Sequence, residues 1–330
     1  MLEFPMRKRA ACACAFVFLL PYACVGGDDS VSPPDTGTDA TSDTTTPIDA
    51  APDVATTPDA TADIGADAAY NPSLYGNLEL WVAADVGLAL SSGKLTWTDQ
   101  SPVGHLVQSP NDSSPCHNPT IQSAAINGLQ AVAFGGYNDC FTISSGFSDF
   151  TNGLSIFVIA QPENEGSNFY GAGSAFIDLN LDKSARASDI TFGRVYTPLD
   201  TSTGGDFQLQ TYNSSTSGQS GLIATGTQTT YTQAVTHLFE VVMPATAEGS
   251  AVVGAKLYED GNVLGATTNN PVGPDKTTRS FNLIGYNYFE STNSYNDYAG
   301  LIGEIIVFSR ALTDSQRQAT ETYLKAKWGL

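Results

Sequence analysis

The sequence has little positive charge and few histidines or cysteines. Its 330 residues include 14 Lys and Arg against 34 Asp and Glu, with three His and five Cys. The formal net charge is −20. Nucleic acid is therefore excluded as a partner, because phosphate backbones are bound by basic surfaces.

Motifs of common catalytic sites are also missing. The chain has no G-x-S-x-G elbow, no H-E-x-x-H and no Walker loop. The three histidines, His105, His117 and His237, stand far apart in unrelated contexts. We expect each to be a surface or hydrogen-bonded polar residue and not a catalytic base.

Long hydrophobic runs are absent except near the N-terminus. Ala10 to Tyr22 form an apolar run of 13 residues after the basic segment Met6-Arg7-Lys8-Arg9. A membrane-spanning helix needs roughly 20 apolar residues. A short apolar run behind a basic segment is typical of an export signal. We therefore assign residues 1–24 to a signal peptide and expect the mature protein to lack a transmembrane helix.

The end of this signal, residues 20–24 (LPYAC), resembles the lipobox of bacterial lipoproteins. In that family a small residue precedes the cysteine that is acylated and becomes the new N-terminus, here Cys24. Members usually carry Leu three residues before the cysteine, whereas here Pro21 has that place and Leu20 lies one further back. The alternative is an ordinary secretory signal, but no A-x-A cleavage site follows the apolar run.

The resemblance implies a protein anchored to a membrane by lipid at Cys24. Several acyl chains would anchor it stably, since one chain alone binds only marginally. Val25, in place of an acidic residue, is compatible with outer-membrane sorting in that class. We expect an exported outer-membrane or cell-surface lipoprotein, or otherwise a secreted protein.

Residues 25–69 form a linker rich in Asp, Thr, Ala and Pro. The segment has ten Asp, no aromatic residue and no Lys or Arg. It cannot bury enough apolar surface to offset chain entropy, so we predict a disordered stalk. Its root-mean-square reach would be roughly 35–40 Å. A calcium-binding Asp run and a glycosylated Thr array are the alternatives.

The cysteines predict one disulfide in the mature protein. Two of the five lie inside the export signal and Cys24 would be lipidated, which leaves Cys116 and Cys140. An exported protein favours a disulfide between them. Closing this loop would contribute about 3 kcal/mol in the chain-entropy model. A metal site is the alternative, but only His117 is near either cysteine, and zinc needs four ligands.

Residues 70–330 have the pattern of a single all-β domain. Short apolar runs with Val, Ile, Phe and Tyr alternate with Gly, Asn and Ser clusters, as in LELWVAA, LQAVAFGG, LSIFVIAQ, THLFEVVMP, SFNLIGYN and LIGEIIVF. Asp260-Gly261 is the strongest hairpin signal, because a type I′ turn needs positive φ at both central residues. Many strands without alternating helices predict an antiparallel sandwich. No repeat at a fixed period supports a propeller.

The chain ends in one predicted helix. Thr313 and Gln316 are spaced as a capping box, and Gly329 is placed as a C-cap. Apolar residues recur at helical spacing and, together with Trp328, are expected to pack on the sandwich. The remaining face, with Arg317, Glu321 and Lys325, is predicted to be exposed. The helix has no candidate catalytic residues, so we interpret it as a structural element that packs against the sandwich.

Several segments of the domain resemble the concanavalin A-like lectin/glucanase group, in its laminin-G-like branch. They fall in the family's order and cover most of residues 76–330, although residues 165–255 match only as a strand pattern. The matching segments are Leu78–Gly87, Leu95–Gln108, Ile126–Gly136, Leu154–Gln161 and Gly300–Leu330. The resemblance implies a two-sheet antiparallel jelly roll, a fold that hosts lectins, adhesion modules and glycosidases alike.

Members that cleave β-glucans carry E-x-D-x-E on one strand, which places two carboxylates on one face for nucleophile and acid/base roles. This chain has no such run. Glu304 is the nearest acid on a predicted strand, and we favour a structural role for it. The sequence therefore favours a noncatalytic domain.

A sugar site needs aromatic faces and amide or carboxylate oxygens. One predicted loop supplies this mixture with Tyr286, Asn287, Tyr288, Phe289, Asn293, Tyr295, Asn296, Asp297 and Tyr298. A second candidate, with Tyr137 and Asn138, lies beside the predicted disulfide, which would lower its ordering cost on binding. The alternative is that the tyrosines merely cover a sheet edge.

Many laminin-G-like domains hold calcium, so the resemblance implies Asp99, Asp139 and Asp297 as candidate ligands. Calcium needs six to eight oxygen ligands, and no cofactor is required by the sequence.

We expect a noncatalytic module that binds a glycan or extracellular matrix ligand. The alternatives are a divergent polysaccharide hydrolase or lyase, and a structural or protein-adhesion module of the cell envelope.

Overall fold

The structure is a computed structural model that describes residues 70–110, 116–136, 139–163, 175–182, 189–194, 207–214, 220–224, 234–264, 266–268, 271–286 and 298–330. All of these residues belong to the unit Ile64–Leu330. In these ranges no helix has the length and apolar character needed to cross a membrane. The predicted signal, Cys24 and the stalk lie outside the described residues, as do Tyr137, Asn138, Asn287, Tyr288, Phe289, Asn293, Tyr295, Asn296 and Asp297.

The described residues form eighteen strands and three helices. The strands are β1 (Leu78–Ala83), β2 (Leu88–Ser91), β3 (Lys94–Thr98), β4 (Leu106–Gln108), β5 (Thr120–Ile126), β6 (Leu129–Gly135), β7 (Phe141–Ile143), β8 (Leu154–Pro162), β9 (Ala175–Asn180), β10 (Ile190–Arg194), β11 (Phe207–Thr211), β12 (Ser220–Ala224), β13 (His237–Met243), β14 (Lys256–Glu259), β15 (Asn262–Val263), β16 (Ala266–Thr268), β17 (Phe281–Ile284) and β18 (Ala299–Phe308). The helices are a 3-10 turn (Pro72–Tyr75), α1 (Ala84–Gly87) and α2 (Asp314–Trp328).

The strands pair into two antiparallel sheets. An eight-stranded sheet has the order β15-β14-β13-β8-β18-β6-β5, with β1 also paired to β18. A ten-stranded sheet has the order β16-β12-β11-β10-β9-β17-β7-β4-β3-β2. Strands distant in sequence, such as β8 and β18, are neighbours. This confirms the predicted two-sheet sandwich with one C-terminal helix.

The core lies between the sheets. The rings of Phe176 in β9 and Phe239 in β13 are 5.0 Å apart, which joins one sheet to the other. Trp97 is buried and packs 5.5 Å from Phe141. Strand β18 is buried at every residue. A strand covered on both faces is mostly apolar, and Glu304 is the one charged residue of β18.

The predicted turn and helix ends are present. Asp260 and Gly261 have φ of 51° and 80° between β14 and β15, as the hairpin signal requires. In α2 the Gln316 N–H donates to Thr313 Oγ1 at 3.3 Å, and the Thr313 N–H donates to Gln316 Oε1 at 3.1 Å. Gly329 is the C-cap, with φ 77°.

One face of α2 differs from the prediction. Arg317 and Glu321 were expected to be exposed, and the structure buries both. The Arg317 guanidinium lies 4.0 Å from the centre of the Tyr258 ring and 3.4 Å from Glu240 Oε2. The eight-stranded sheet therefore supplies a buried carboxyl group and an aromatic face, and the helix packs with this side inward as well.

Candidate functional site: a polar row on the ten-stranded sheet

Polar side chains run across the face of the ten-stranded sheet that points away from the core. The register pairs Thr142 with Leu283, Leu283 with Asp178, Asp178 with Thr191, and Thr191 with Gln210. Residues directly paired across antiparallel strands lie on the same face. Their neighbours along the strands belong to the hydrophobic core, namely Ile143, Ile177, Leu179, Ile190 and Leu209.

We call the polar row the set Thr142, Asp178, Asn180, Thr191, Gln208 and Gln210. Its centre is the buried carboxylate of Asp178, which is 1% exposed. Asp178 Oδ2 accepts from Asn180 Nδ2 at 2.6 Å, and Oδ1 accepts from Thr191 Oγ1 at 2.7 Å. These two hydrogen bonds fix the orientation of the carboxyl group.

Two amide oxygens of the polar row have no hydrogen-bond partner among the described residues. They are Asn180 Oδ1 and Gln208 Oε1, on side chains that are 2% and 4% exposed. Leaving a buried acceptor unpaired costs about 1–3 kcal/mol. A ligand hydroxyl or N–H that donated to either oxygen would remove that cost.

An apolar cluster interrupts the polar row at Leu283, which lies between Thr142 and Asp178 in the register. Cys116 and Cys140 form the predicted disulfide, with 5.5 Å between their Cα atoms. This disulfide packs with Leu283, Tyr286 and Phe281. Because Leu283 belongs to the outward face of β17, the cluster lies on the same side of the sheet as Asp178.

The cluster brings together Tyr286 and Cys140, which each lie at one end of a predicted loop. Tyr286 starts the aromatic loop, and Cys140 ends the segment with Tyr137 and Asn138. At the far end of the aromatic loop, the Tyr298 N–H donates to Gly285 O at 2.9 Å, so the loop ends are tied to each other. The Tyr298 ring belongs to the core, with its hydroxyl donating to Leu301 O at 2.9 Å. Tyr298 is therefore not part of a ligand surface, and Tyr286, which was predicted to bind the ligand, is likewise buried in the disulfide cluster.

Two of the three candidate calcium ligands can be placed. Asp139 Oδ2 accepts from the Gly135 N–H at 2.5 Å, and burial raises the pKa of Asp139 against the lowering effect of this bond. Asp99 has a structural role, since its carboxylate accepts four hydrogen bonds of 2.7–2.9 Å from Trp81 N, Ser101 N, Ser101 Oγ and His105 N. These bonds hold the connection between β3 and β4.

Glu304 is fully buried, and both of its oxygens are occupied. Oε1 accepts from Trp81 Nε1 at 2.7 Å and from the Tyr323 hydroxyl at 3.1 Å. Oε2 accepts from Lys327 Nζ and from Trp328 Nε1, each at 2.8 Å. The donors come from β1 and α2, so this carboxylate fixes the C-terminal helix to the sandwich and has the structural role that we expected.

The polar row was missed in the sequence analysis. Its residues are single polar side chains on strands far apart along the chain, and no motif joins them. The alternation in AFIDLN, residues 175–180, was the available signal, because a polar residue between buried apolar ones marks a second face of the strand.

No family model matches the chain, and no curated protein matches it. Among solved structures, the chain is similar to domain 4 of AbnA, a GH43 extracellular arabinanase from Geobacillus stearothermophilus, in complex with arabinotriose. That match has 15% identity and a TM-score of 0.47, and it covers 73% of this chain and 96% of that one.

Two botulinum neurotoxin structures are similar as well. The serotype D/C binding domain has 11% identity and a TM-score of 0.49, over 76% of this chain and 53% of that one. The serotype D ligand binding domain in complex with N-acetylneuraminic acid has 12% identity and a TM-score of 0.45, over 74% and 50%. The chain thus spans about half the length of these toxin domains.

Proposed function

We propose that residues 70–330 form a noncatalytic, laminin-G-like binding module for a glycan or matrix ligand. The observation that carries the proposal is the polar row, with its fixed Asp178 carboxylate and the unpaired oxygens of Asn180 and Gln208. Sugar hydroxyls are donors, and carboxylate and amide oxygens are the acceptors that proteins offer them.

Preorganisation supports this proposal. Asp178 is held by two hydrogen bonds, and the disulfide packs against Tyr286 at the start of the aromatic loop. Groups that are already ordered lose less conformational entropy when a ligand binds. Tyr288 and Tyr295, further along that loop, are the residues we propose to stack on the apolar face of a sugar ring. We propose that the loop amides, Tyr137 and Asn138 bind its hydroxyls.

The environment of Glu304 favours binding over hydrolysis. Glycosidases use two carboxylates on either side of the scissile bond, and each must reach the substrate or a water. The four donors of Glu304 instead belong to the fold. A divergent hydrolase or lyase would have to use other carboxylates.

The module would be displayed outside the cell. We propose that the signal in residues 1–24 directs export, that acylated Cys24 anchors the chain in a membrane, and that residues 25–69 hold the domain away from it. This reading rests on the basic and apolar pattern of the signal, the lipobox-like end and the Asp-rich composition of the stalk.

The test is a glycan array probed with the full chain, once with calcium and once with a chelator. We expect saturable binding to at least one glycan class, and a loss of at least tenfold in affinity for Gln208→Ala. Gln122→Ala, an exposed glutamine on β5 of the other sheet, is the matched control and should bind as the parent does.

The two arms of the array also test the calcium prediction, because chelation should weaken binding only if the ion takes part. No detectable binding, either with calcium or with the chelator, would overturn the glycan proposal. Capture of a protein partner without sugar competition would then favour the adhesion module. Turnover of a polysaccharide would favour the hydrolase or lyase.

A further inference from the structure

Three metal-ligating side chains meet where β13 begins and β14 turns into β15. His237 Nδ1 lies 2.8 Å from Asp260 Oδ2 and 3.3 Å from Glu259 Oε1. One ligand atom from each residue lies within 4.8 Å of the other two. Within the described part of the chain, this is the one group of three or more His, Cys, Asp or Glu with that spacing.

The fold creates this grouping. The register pairs Phe239 of β13 with Glu259 of β14, and His237 is two residues from Phe239, so His237 and Glu259 lie on one face of the sheet. Asp260 follows in the turn, where its Oδ1 accepts from the Leu238 N–H at 2.9 Å. One oxygen of Asp260 thus fixes the side chain while the other points to His237.

The spacing of the ligand atoms fits a small transition-metal ion. Zinc binds His nitrogen and carboxylate oxygen at about 2.0–2.2 Å in tetrahedral sites, which places neighbouring ligand atoms about 3.3 Å apart. The observed separations of 2.8 and 3.3 Å are close to that value. A small adjustment would open the hydrogen bond between His237 and Asp260 to admit the ion.

The donor set selects the class of metal. One imidazole nitrogen and two carboxylates suit zinc and similar divalent ions, whereas calcium prefers six to eight oxygens. The side chains of His237, Glu259 and Asp260 are 16%, 12% and 34% exposed, so a fourth, water ligand has access. Lys325 Nζ donates to the backbone oxygen of Asp260 at 2.5 Å, which braces the turn from α2.

We propose that His237, Glu259 and Asp260 form a zinc-binding site. Coordination uses the Nδ1 lone pair of the neutral imidazole, with its proton on Nε2, and one oxygen from each carboxylate. The ion ties the start of β13 to the β14–β15 turn, so zinc binds the folded state and stabilises it. This site does not depend on the proposed ligand at the polar row.

The test uses the full chain, freed of metal with a chelator and then titrated with zinc chloride by calorimetry and thermal unfolding. We expect one saturable zinc site, a rise in unfolding temperature of several degrees, and no comparable effect of calcium or magnesium at the same concentration. His237→Gln should weaken zinc binding at least tenfold, and His117→Gln, an exposed histidine elsewhere, should not.

Cysteines near the N-terminus offer other zinc ligands in the full chain, so cobalt serves as a spectroscopic probe. The proposed site predicts d–d absorption that His237→Gln removes, without a thiolate charge-transfer band. Glu259→Gln is the second variant if His237→Gln fails to fold by circular dichroism. Zinc binding of equal strength in the parent, His237→Gln and Glu259→Gln would overturn the proposal, as would no saturable binding by the parent.

Discussion

Trp328 Nε1 donates to Glu304 Oε2 at 2.8 Å, which fastens the last turn of α2 to the strand that it covers. Trp81 of β1 donates to the other oxygen of the same carboxylate. Glu304 therefore joins β1, β18 and α2 through one buried group. A buried charge of this kind is tolerated because its hydrogen-bonding capacity is filled and Lys327 balances it.

Glu304→Gln should destabilise the domain by about 3–5 kcal/mol, because Lys327 would lose its buried partner. Burial opposes ionisation of Lys327, but Glu304 raises the pKa of this lysine above its usual range, which shows the strength of the pairing. Urea unfolding monitored by tryptophan fluorescence measures the change. Asp85→Asn is the control, since it removes the other carboxylate near Lys327, at 2.9 Å, and leaves Glu304 in place.

We expect less than about half that loss for Asp85→Asn, because Lys327 would keep its pair with Glu304. A Glu304→Gln protein of unchanged stability that lost polysaccharide turnover would contradict the structural role and favour the hydrolase.

Gly303→Ala should lower the free energy of unfolding by about 1–3 kcal/mol, because it overpacks the contact between β18 and α2. A Cβ at this position would lie 2.9 Å from ring atoms of Trp328, closer than side chains normally approach. Thermal unfolding of Gly303→Ala, Trp328→Phe and the double variant forms a mutant cycle. The smaller ring should make the alanine less costly, and strictly additive losses would contradict the proposed clash.

Loss of the Cys116–Cys140 disulfide should lower the free energy of unfolding by about 3 kcal/mol. It should also weaken glycan binding, because the disulfide packs with Leu283 and Tyr286 beside the polar row. The measurement compares urea unfolding and array binding of the parent with and without reductant. A Cys116→Ala/Cys140→Ala variant is the control and should no longer respond to reductant. Full binding after reduction would show that the disulfide does not organise the ligand site.

Local features were the ones that the sequence predicted well. The capping box of Thr313 and Gln316 and the Asp260-Gly261 turn depend on residues within a few positions of each other, and the structure has both. The Cys116–Cys140 pair spans 24 residues, but elimination left no other partner in the mature chain. The strand pattern was enough to predict the sandwich.

Features that depend on distant residues were missed. The helix pattern alone places Arg317 on an exposed face, since its partners, Glu240 and Tyr258, lie on strands far away in sequence. The polar row and the His237 cluster are likewise assembled by strand register. A helix or strand pattern shows which residues share a face, but not what the rest of the chain places against that face.

The buried pair of Arg317 and Glu240 predicts a pH dependence of stability. Burial raises the pKa of Glu240 from 4.5 to about 8, despite the opposing charge of Arg317. Between these two values the unfolded chain releases a proton that the folded protein retains, so the stability contributed by this group falls as pH rises through that window. The fall should approach about 1.4 kcal/mol per pH unit and level off above the folded pKa.

Glu240→Gln cannot ionise, so its free energy of unfolding relative to the parent should increase from about pH 5 to about pH 8 and then become constant. Urea unfolding of both proteins at intervals of half a pH unit measures this difference. Other titrating groups are shared by the two chains and cancel in the comparison. Parallel pH profiles would show that Glu240 ionises normally in the folded state, and that Arg317 and the sheet stabilise a full ion pair beneath α2.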